Sequence, residues 1–218
     1  MIIGLANSKG GVGKSTIARN LVTYLNDIQI PTGLVDAEDG APTAALLSSF
    51  DPDLIVRAAN TVEAIDAAVS ELVSSGYHVL LDAPGKEGEQ VSTLCLLSDL
   101  VIIPLCVSEQ DLLQTVRIVE FVRQQQLRNP ESRPAAAIVF TRTLKNDIAT
   151  LPMRDFLTKA GIAIADTEIR ERIAVKRNIS VMRDPIHYRN DGPANDFVRL
   201  AEELGLTKPL AKTGAADE

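Results

Sequence analysis

The sequence predicts a single α/β domain in which a mostly parallel β-sheet is covered by helices on both faces. Its 218 residues suit one well-buried domain and are few for two. Short apolar runs alternate with longer segments in which apolar residues recur at helical spacing, and such alternation is typical of parallel sheets. We expect the domain to span residues 1–206 and the small, polar residues 207–218 to form a flexible tail.

The first half of the chain predicts four strands and three helices. The strands are short apolar runs at residues 1–6, 33–36 and 79–81, with a weaker candidate at 54–56. The helices lie at residues 14–27, from near Pro42, and at 61–75, where Gly76 ends the third. Because helices follow the strands, the strands are expected to run in the same direction.

The second half predicts two further strands, at residues 100–105 and 136–140, and three helices, at 110–127, 153–160 and 195–204. The longest helix carries one predicted apolar stripe, formed by Leu112, Leu113, Val116, Val119 and Val122. Parallel sheets bind ligands at the carboxyl ends of their strands. Polar residues that directly follow a strand are therefore the candidates for function.

The charge distribution gives two opposing indications about nucleic acids. A net charge of −7 and an isoelectric point near 5.0 argue against a dedicated nucleic-acid-binding domain, which is expected to be basic. Between residues 133 and 189, however, basic residues outnumber acidic ones. This segment fits either an ordinary solvated surface or a local anion-binding face.

The two cysteines, Cys95 and Cys106, fall in apolar segments and are predicted to pack in the core. Without a C-x-x-C pair or a cysteine–histidine cluster, neither a zinc site nor a disulfide framework is expected. The sequence shows neither a secretory signal nor an apolar run of membrane-spanning length. We therefore expect a cytoplasmic protein.

A glycine-rich loop, K-G-G-V-G-K-S-T at residues 9–16, directly follows the first predicted strand. Its glycines let the backbone turn N–H groups inward as a nest for phosphate oxygens, and the following helix adds the positive end of its dipole. Lys14 can reach the β- and γ-phosphates, Ser15 can ligate Mg²⁺, and Thr16 can bond the α-phosphate. The predicted nucleotide-binding residues of this loop are Gly10, Gly11, Val12, Gly13, Lys14, Ser15 and Thr16.

The loop departs from the usual phosphate-loop pattern, G-x-x-x-x-G-K-[ST]. Ser8 stands where the first glycine is expected, and Lys9 adds a second lysine. Glycine-rich turns are common by chance, but two lysines flanking such a turn just after a buried strand are rare. The variant therefore indicates a nucleotide site more specifically than the usual pattern does.

Acidic residues follow two other predicted strands. Asp82 ends a wholly apolar strand and is expected to hold Mg²⁺ through its water shell. Asp36 and Glu38 follow another strand, where one carboxylate would orient the attacking water or bind the metal. An acidic loop with only one working member is the alternative, and Asp39 is the weakest candidate.

The loop after the strand at residues 136–140 indicates whether the bound nucleotide carries adenine or guanine. Guanine-specific proteins use an [NT]-K-x-D loop there, whose aspartate accepts from guanine, but Leu144 occupies that position here. ATP is therefore favoured over GTP, and Thr141 and Arg142 are expected to contact the nucleotide.

Together these residues resemble the ParA-type partition ATPases, within the ParA/MinD group of ATPases with a deviant phosphate loop. The loop at 9–16, the acids from Asp36, the strand end L-L-D-A-P-G, the segment S-D-L-V-I-I-P and Thr141-Arg142 occur in the family's order. The resemblance extends to about Leu206. The length matches short plasmid-type members that lack an N-terminal operator-binding domain.

The resemblance implies a mechanism with Lys9, Lys14, Asp36 and Glu38 as catalytic residues. Lys9 would be the signature lysine that reaches the partner's phosphates across an ATP-sandwich homodimer. The dimer would bind DNA without sequence preference, and so associate with the nucleoid. A ParB-like or ParG-like adaptor on a DNA cargo would stimulate hydrolysis.

The resemblance also suggests a DNA surface, formed by Arg142, Arg170, Arg172, Lys176 and Arg177. Dimerisation would double this basic surface, which answers the objection from the net charge. One departure from the family concerns hydrolysis, because Glu38 stands where the water-orienting aspartate is expected. A carboxylate displaced by about 1 Å is enough to slow catalysis, so we expect weak basal turnover.

Three rival functions fit the sequence less well. A MinD-like membrane-cycling ATPase would carry a basic amphipathic C-terminal helix, for which residues 208–218 are a poor candidate, so no membrane partner is expected. An iron–sulfur carrier would need paired cysteines at a dimer axis, whereas Cys95 and Cys106 fall in a predicted helix and a buried strand. A metabolic ATP-dependent ligase would need a polar substrate cluster, which the sequence does not reveal. The cargo, whether plasmid, chromosome or protein assembly, stays open.

Overall fold

The structure is a computed structural model that describes residues 1–85, 88–129, 133–144, 148–172 and 195–208. Its strands are β1 (Ile2–Leu5), β2 (Thr32–Asp36), β3 (Val56–Ala58), β4 (His78–Asp82), β5 (Leu100–Cys106), β6 (Ala135–Thr143) and β7 (Ile169–Arg170). Its helices are α1 (Lys14–Asp27), α2 (Pro42–Phe50), α3 (Val62–Ser74), α4 (Glu89–Leu97), α5 (Glu109–Arg128), α6 (Thr150–Lys159) and α7 (Asn195–Glu203).

The strands form one seven-stranded sheet in the order β3-β2-β4-β1-β5-β6-β7. Every neighbouring pair is parallel. The predicted fold class, a single α/β domain with a parallel sheet, is confirmed.

Two apolar layers cover the sheet because successive residues of a strand point to opposite faces. In β2 and β4, Leu34 and Leu80 pack in the layer beneath α1 and α7. Their neighbours Val35 and Leu81 pack in the opposite layer, which contains residues of α3, α4 and α5. Strands buried on both faces need continuous apolar runs, which is why they were recognisable in the sequence.

Gly4 in β1 allows α4 to approach the sheet closely. A Cβ at this position would overlap the side chains of Leu94 and Ser98. The absence of a side chain here therefore sets the spacing between α4 and the central strand.

The structure differs from the predictions in several local features, including the following three. β3 begins at Val56 rather than at residue 54, because a turn closes with Leu54 N donating to Asp51 O. The two-residue strand β7 is too short for its periodicity to be seen in the sequence. Leu113 and Val116 of α5 are 69% and 38% exposed, so they leave the predicted stripe.

The buried face of α5 instead passes through Thr115, Val119 and Val122. Thr115 is fully buried and accepts a hydrogen bond from Asn7 Nδ2 at 3.3 Å. A polar residue on the core face therefore concealed the true stripe.

Within the described ranges, none of the helices combines the length and the apolar character needed to cross a membrane. Cys95 lies in α4 and Cys106 in β5, and neither forms a disulfide. The predicted tail lies outside the described residues from residue 209 onward.

Candidate nucleotide-binding site

A cleft of about 360 Å³ opens at the carboxyl edge of the sheet. The pairing of the strands sets this edge, because Asp82 of β4 is in register with both Leu5 of β1 and Asp36 of β2. The cleft is lined by Gly10, Gly11, Gly13, Lys14, Ser15, Thr16, Arg19, Glu38, Gly85, Thr141, Arg142 and residues 169–172.

The phosphate loop has the backbone that its glycines allow. Gly11 and Gly13 have φ values of +78° and +102°, a region that residues with a Cβ seldom adopt. Gly13 immediately precedes α1, so the N-terminus of this helix is at the cleft. The loop therefore offers backbone N–H groups and the positive helix end to an anion.

Lys14 is held within the loop. Its Nζ donates to the Lys9 carbonyl at 3.3 Å, and the side chain is almost fully buried. Burial lowers the pKa of Lys14, while the charges of Asp82 and Glu38 act in the opposite direction. Lys14 therefore lies at the phosphate loop, and its contact with nucleotide phosphates stays a prediction.

Neighbouring strands brace the loop. Thr141 Oγ1 at the end of β6 donates to Val12 O at 2.8 Å in a buried hydrogen bond. Asn7 donates from Nδ2 to Pro104 O at 2.8 Å, and its Oδ1 accepts from Lys9 N at 3.0 Å. The Thr141 hydroxyl thus shapes the loop, a role that sequence reasoning missed, as it missed Asn7.

Arg142 enters the cleft through an irregularity of β6. Its φ is +57°, and the β6–β7 register shifts between Thr141 and Thr143. Such a bulge redirects a side chain, and here Nη2 of Arg142 lies 3.7 Å from where a Gly11 Cβ would be. The predicted nucleotide residue Arg142 is therefore beside the phosphate loop.

Asp82 is buried at the end of β4. Its Oδ2 accepts from Thr43 Oγ1 at 2.9 Å, whereas Oδ1 has no hydrogen-bond donor among the described residues. Burial raises the pKa of Asp82 to about 6, with the Ser15 and Thr43 hydroxyls and the charge of Lys14 opposing this rise. A carboxylate oxygen left without a partner near a serine hydroxyl fits Mg²⁺, which prefers hard oxygen ligands.

Asp36 and Glu38 have different positions, although both were predicted to act in catalysis. The Asp36 carboxylate is fully buried and accepts from the N–H groups of Glu38, Thr43 and Ala44 at 3.1, 2.8 and 3.0 Å. The structure does not bring Asp36 to the cleft surface, because its oxygens hold the start of α2. Glu38 does line the cleft.

Lys9 is directed away from the cleft. Its Nζ forms an ion pair with Asp111 of α5, and the two side chains are 36% and 3% exposed. The residue lines an adjoining, open cavity with Ser8, Gly10, Gly85, Gln110, Gln114 and Arg117, of which Gly10 and Gly85 also line the cleft. Asp111 was not predicted, although S-E-Q-D at residues 108–111 is a capping pattern in which Ser108 Oγ accepts from Asp111 N at 3.1 Å.

The basic residues predicted for a DNA surface do not form a separate face where they are described. Arg170 and Arg172 line the nucleotide cleft together with Arg142. Asp196 of α7 holds this segment, accepting from Arg170 N at 3.0 Å and pairing with Arg172 Nη2 at 3.1 Å. Lys176 and Arg177 lie outside the described residues.

The site consists of a glycine loop between a buried strand and a helix, a lysine folded over that loop, and a buried carboxylate at an adjacent strand end. These features define a phosphate-loop nucleotide-binding protein. The chain belongs to the family described as the CobQ/CobB/MinD/ParA nucleotide binding domain, which matches residues 3–186. The predicted relationship to the ParA/MinD group is thereby confirmed.

Individual relatives agree with this family. Maintenance of carboxysome distribution protein A from Halothiobacillus neapolitanus is 27% identical over 186 residues, which cover 82% of this chain and 83% of the relative. Apo McdA of Cyanothece has a TM-score of 0.70 at 15% identity, covering 94% of this chain and 99% of its own. A plasmid partition protein of Borrelia burgdorferi B31 bound to AMPPNP has a TM-score of 0.67 at 18% identity, and the match covers 95% of this chain and 98% of the Borrelia chain. At these identities the two structures support the fold alone.

Proposed function

We propose that this protein is an ATPase that dimerises on ATP and uses the ATP-bound dimer to position or partition a cargo. The observation that carries the proposal is the place of Lys9. This lysine belongs to the phosphate loop, yet its side chain leaves its own cleft and pairs with Asp111 beside an open cavity. A lysine so placed is available to the nucleotide of a second protomer.

Residues of one protomer suffice to hold the nucleotide. The loop backbone and Lys14 bind its phosphates, with Arg142 beside them. Ser15 and Asp82 would hold Mg²⁺, which would supply positive charge to offset that of the phosphates. Gly85 closes the loop on the other side, since a Cβ there would lie 3.2 Å from Gly10 Cα and 3.7 Å from Lys14 Nζ.

Glu38 is the acid that we assign to the attacking water. It lines the cleft and its charge reaches Lys14, whereas the oxygens of Asp36 are occupied by backbone N–H groups. Because Glu38 has a longer side chain than the aspartate usual in ParA-type ATPases, we expect slow basal hydrolysis.

Segregation of plasmid or chromosomal DNA is the function that we favour. The ATP-bound dimer would bind DNA without sequence preference, and a ParB-like or ParG-like adaptor would release it by stimulating hydrolysis. The sequence similarity to Protein ParA of Rhizobium radiobacter, 25% identical over 142 residues, supports this assignment. Positioning of a protein assembly is the second candidate, and the similarity to a carboxysome distribution protein favours it.

The experiment is analytical ultracentrifugation with Mg²⁺ and either ADP or a non-hydrolysable ATP analogue. We expect the wild type to dimerise with the analogue alone. Lys9→Ala should stay monomeric while binding the analogue normally. Lys159→Ala, which removes an exposed lysine paired with Asp155, is the matched control. A wild type that stays monomeric, or a Lys9→Ala variant that dimerises equally well, would overturn the proposal.

DNA binding is tested separately by fluorescence anisotropy with a duplex of arbitrary sequence. We expect binding only under dimerising conditions, with affinity falling as salt rises. Dimerisation without any DNA binding would exclude the nucleoid-based mechanism.

A further inference from the structure

Arg19, one of the cations that line the cleft, has no hydrogen-bond or ion-pair partner among the described residues. Arg19 of α1 is partly buried and lines the cleft with Thr16 and Glu38. Its Nε is buried without a hydrogen-bond acceptor, and its guanidinium has no ion pair within the described part of the chain. The described acid whose charge acts on it is Asp82.

An unpaired guanidinium is costly in this setting. Arginine keeps its charge at every pH that a protein tolerates, so it cannot escape burial by losing a proton. A buried donor without an acceptor and a charge without a partner both lower stability. A partner that arrives with a ligand would remove both penalties.

The position of Arg19 on α1 places it near the predicted α-phosphate end of the phosphate loop. Arg19 follows Thr16 by three residues, so the two side chains lie on the same helix face. Side chains on a helix lean towards its N-terminus, which directs the guanidinium back towards the phosphate loop on the Thr16 side. Lys14, by contrast, folds over the loop towards Lys9 O.

We propose that Arg19 is a further nucleotide-binding residue that donates hydrogen bonds to the α-phosphate, beside the Thr16 hydroxyl. The assignment rests on the proposed function only in requiring that the cleft bind a nucleotide. Since ATP and ADP share the α-phosphate, Arg19 raises the affinity for both without distinguishing between them. Lys14, by contrast, can also reach the γ-phosphate, which only ATP carries.

The test is isothermal titration calorimetry of the full chain with Mg²⁺ and either ADP or a non-hydrolysable ATP analogue. Arg19→Gln should weaken both ligands by the same factor, ~10- to 100-fold for a lost hydrogen bond to a charged group. Arg19→Lys should recover part of the loss. Arg57→Gln, which removes an exposed arginine paired with Glu71 outside the cleft, should change neither affinity.

Thermal unfolding without nucleotide gives an independent readout. Because burial outweighs the attraction between Arg19 and Asp82, and no hydrogen bond within the described residues is lost, Arg19→Gln should unfold at the wild-type temperature or above it. A lowered unfolding temperature would assign Arg19 to the fold and overturn the proposal. Unchanged affinity for both ligands, or a loss confined to the triphosphate, would overturn it as well.

Failure of the proposed function gives a different result. A wild type that binds both nucleotides but never dimerises refutes the ATP-driven dimer and leaves the Arg19 comparison intact. A wild type that dimerises normally while Arg19→Gln keeps full affinity refutes the Arg19 assignment alone.

Discussion

Replacing Asp36 by alanine should destabilise the fold itself. The carboxylate is fully buried and accepts from Thr43 N and Ala44 N at 2.8 and 3.0 Å, in the first turn of α2. Asp36→Ala leaves both buried donors without an acceptor, at a cost of about 1–3 kcal/mol each and about 4 kcal/mol in total. In a domain of this size about 4 kcal/mol lowers the unfolding temperature by roughly 8–16 °C.

The measurement is scanning calorimetry without nucleotide, with urea denaturation as a second probe. Both N–H groups donate to the same oxygen, Oδ2, so Asp36→Asn can accept both with its carbonyl oxygen and should lose clearly less stability than Asp36→Ala. Glu38→Ala is the control, because Glu38 lines the cleft and should change the unfolding free energy by less than about 0.5 kcal/mol. An unchanged unfolding temperature for Asp36→Ala, or equal losses for both alanine variants, would refute the division of roles between the two acids.

Three further predictions concern other parts of the molecule. Asp111→Asn frees Lys9 from its ion pair in each protomer, so the dissociation constant of the ATP-dependent dimer should fall about fivefold in sedimentation experiments. A weaker dimer would contradict this expectation. Burial lowers the pKa of His78 below its ordinary 6.5, so the unfolded chain binds that proton more readily. The contribution of His78 to stability should therefore be full above pH 6.5 and fall below it, and the difference between wild type and His78→Gln in urea titrations should show this component. Gly4→Ala forces a Cβ against Leu94, so the free energy of unfolding measured in urea should fall by about 1–3 kcal/mol.

The fold and the phosphate loop were predictable because both depend on local patterns. Strands buried on both faces appear as continuous apolar runs, and α1 was placed at residues 14–27, which are its observed bounds. The loop needs glycine at Gly11 and Gly13, where φ is positive, so its backbone constraint appears directly in the sequence.

The supporting contacts were not predictable, because they join residues far apart in the chain. Asn7 bonds to Pro104 and Thr115, and Thr141 bonds to Val12. Asp36 was predicted as a catalytic acid because the sequence shows its charge, whereas the backbone N–H groups around it appear only in three dimensions. For the same reason Arg19 was not predicted to line the cleft.

The hydrogen bond from Lys14 Nζ to the Lys9 carbonyl joins two lysines that face opposite ways. The peptide group of Lys9 is also fixed from its other side, since its N–H donates to Asn7 Oδ1. A molecule that displaces the Lys9 side chain from Asp111 therefore pulls on the same residue that anchors the inward lysine. The ion pair of Lys9 and the hydrogen bond that holds Lys14 therefore meet at one residue, Lys9.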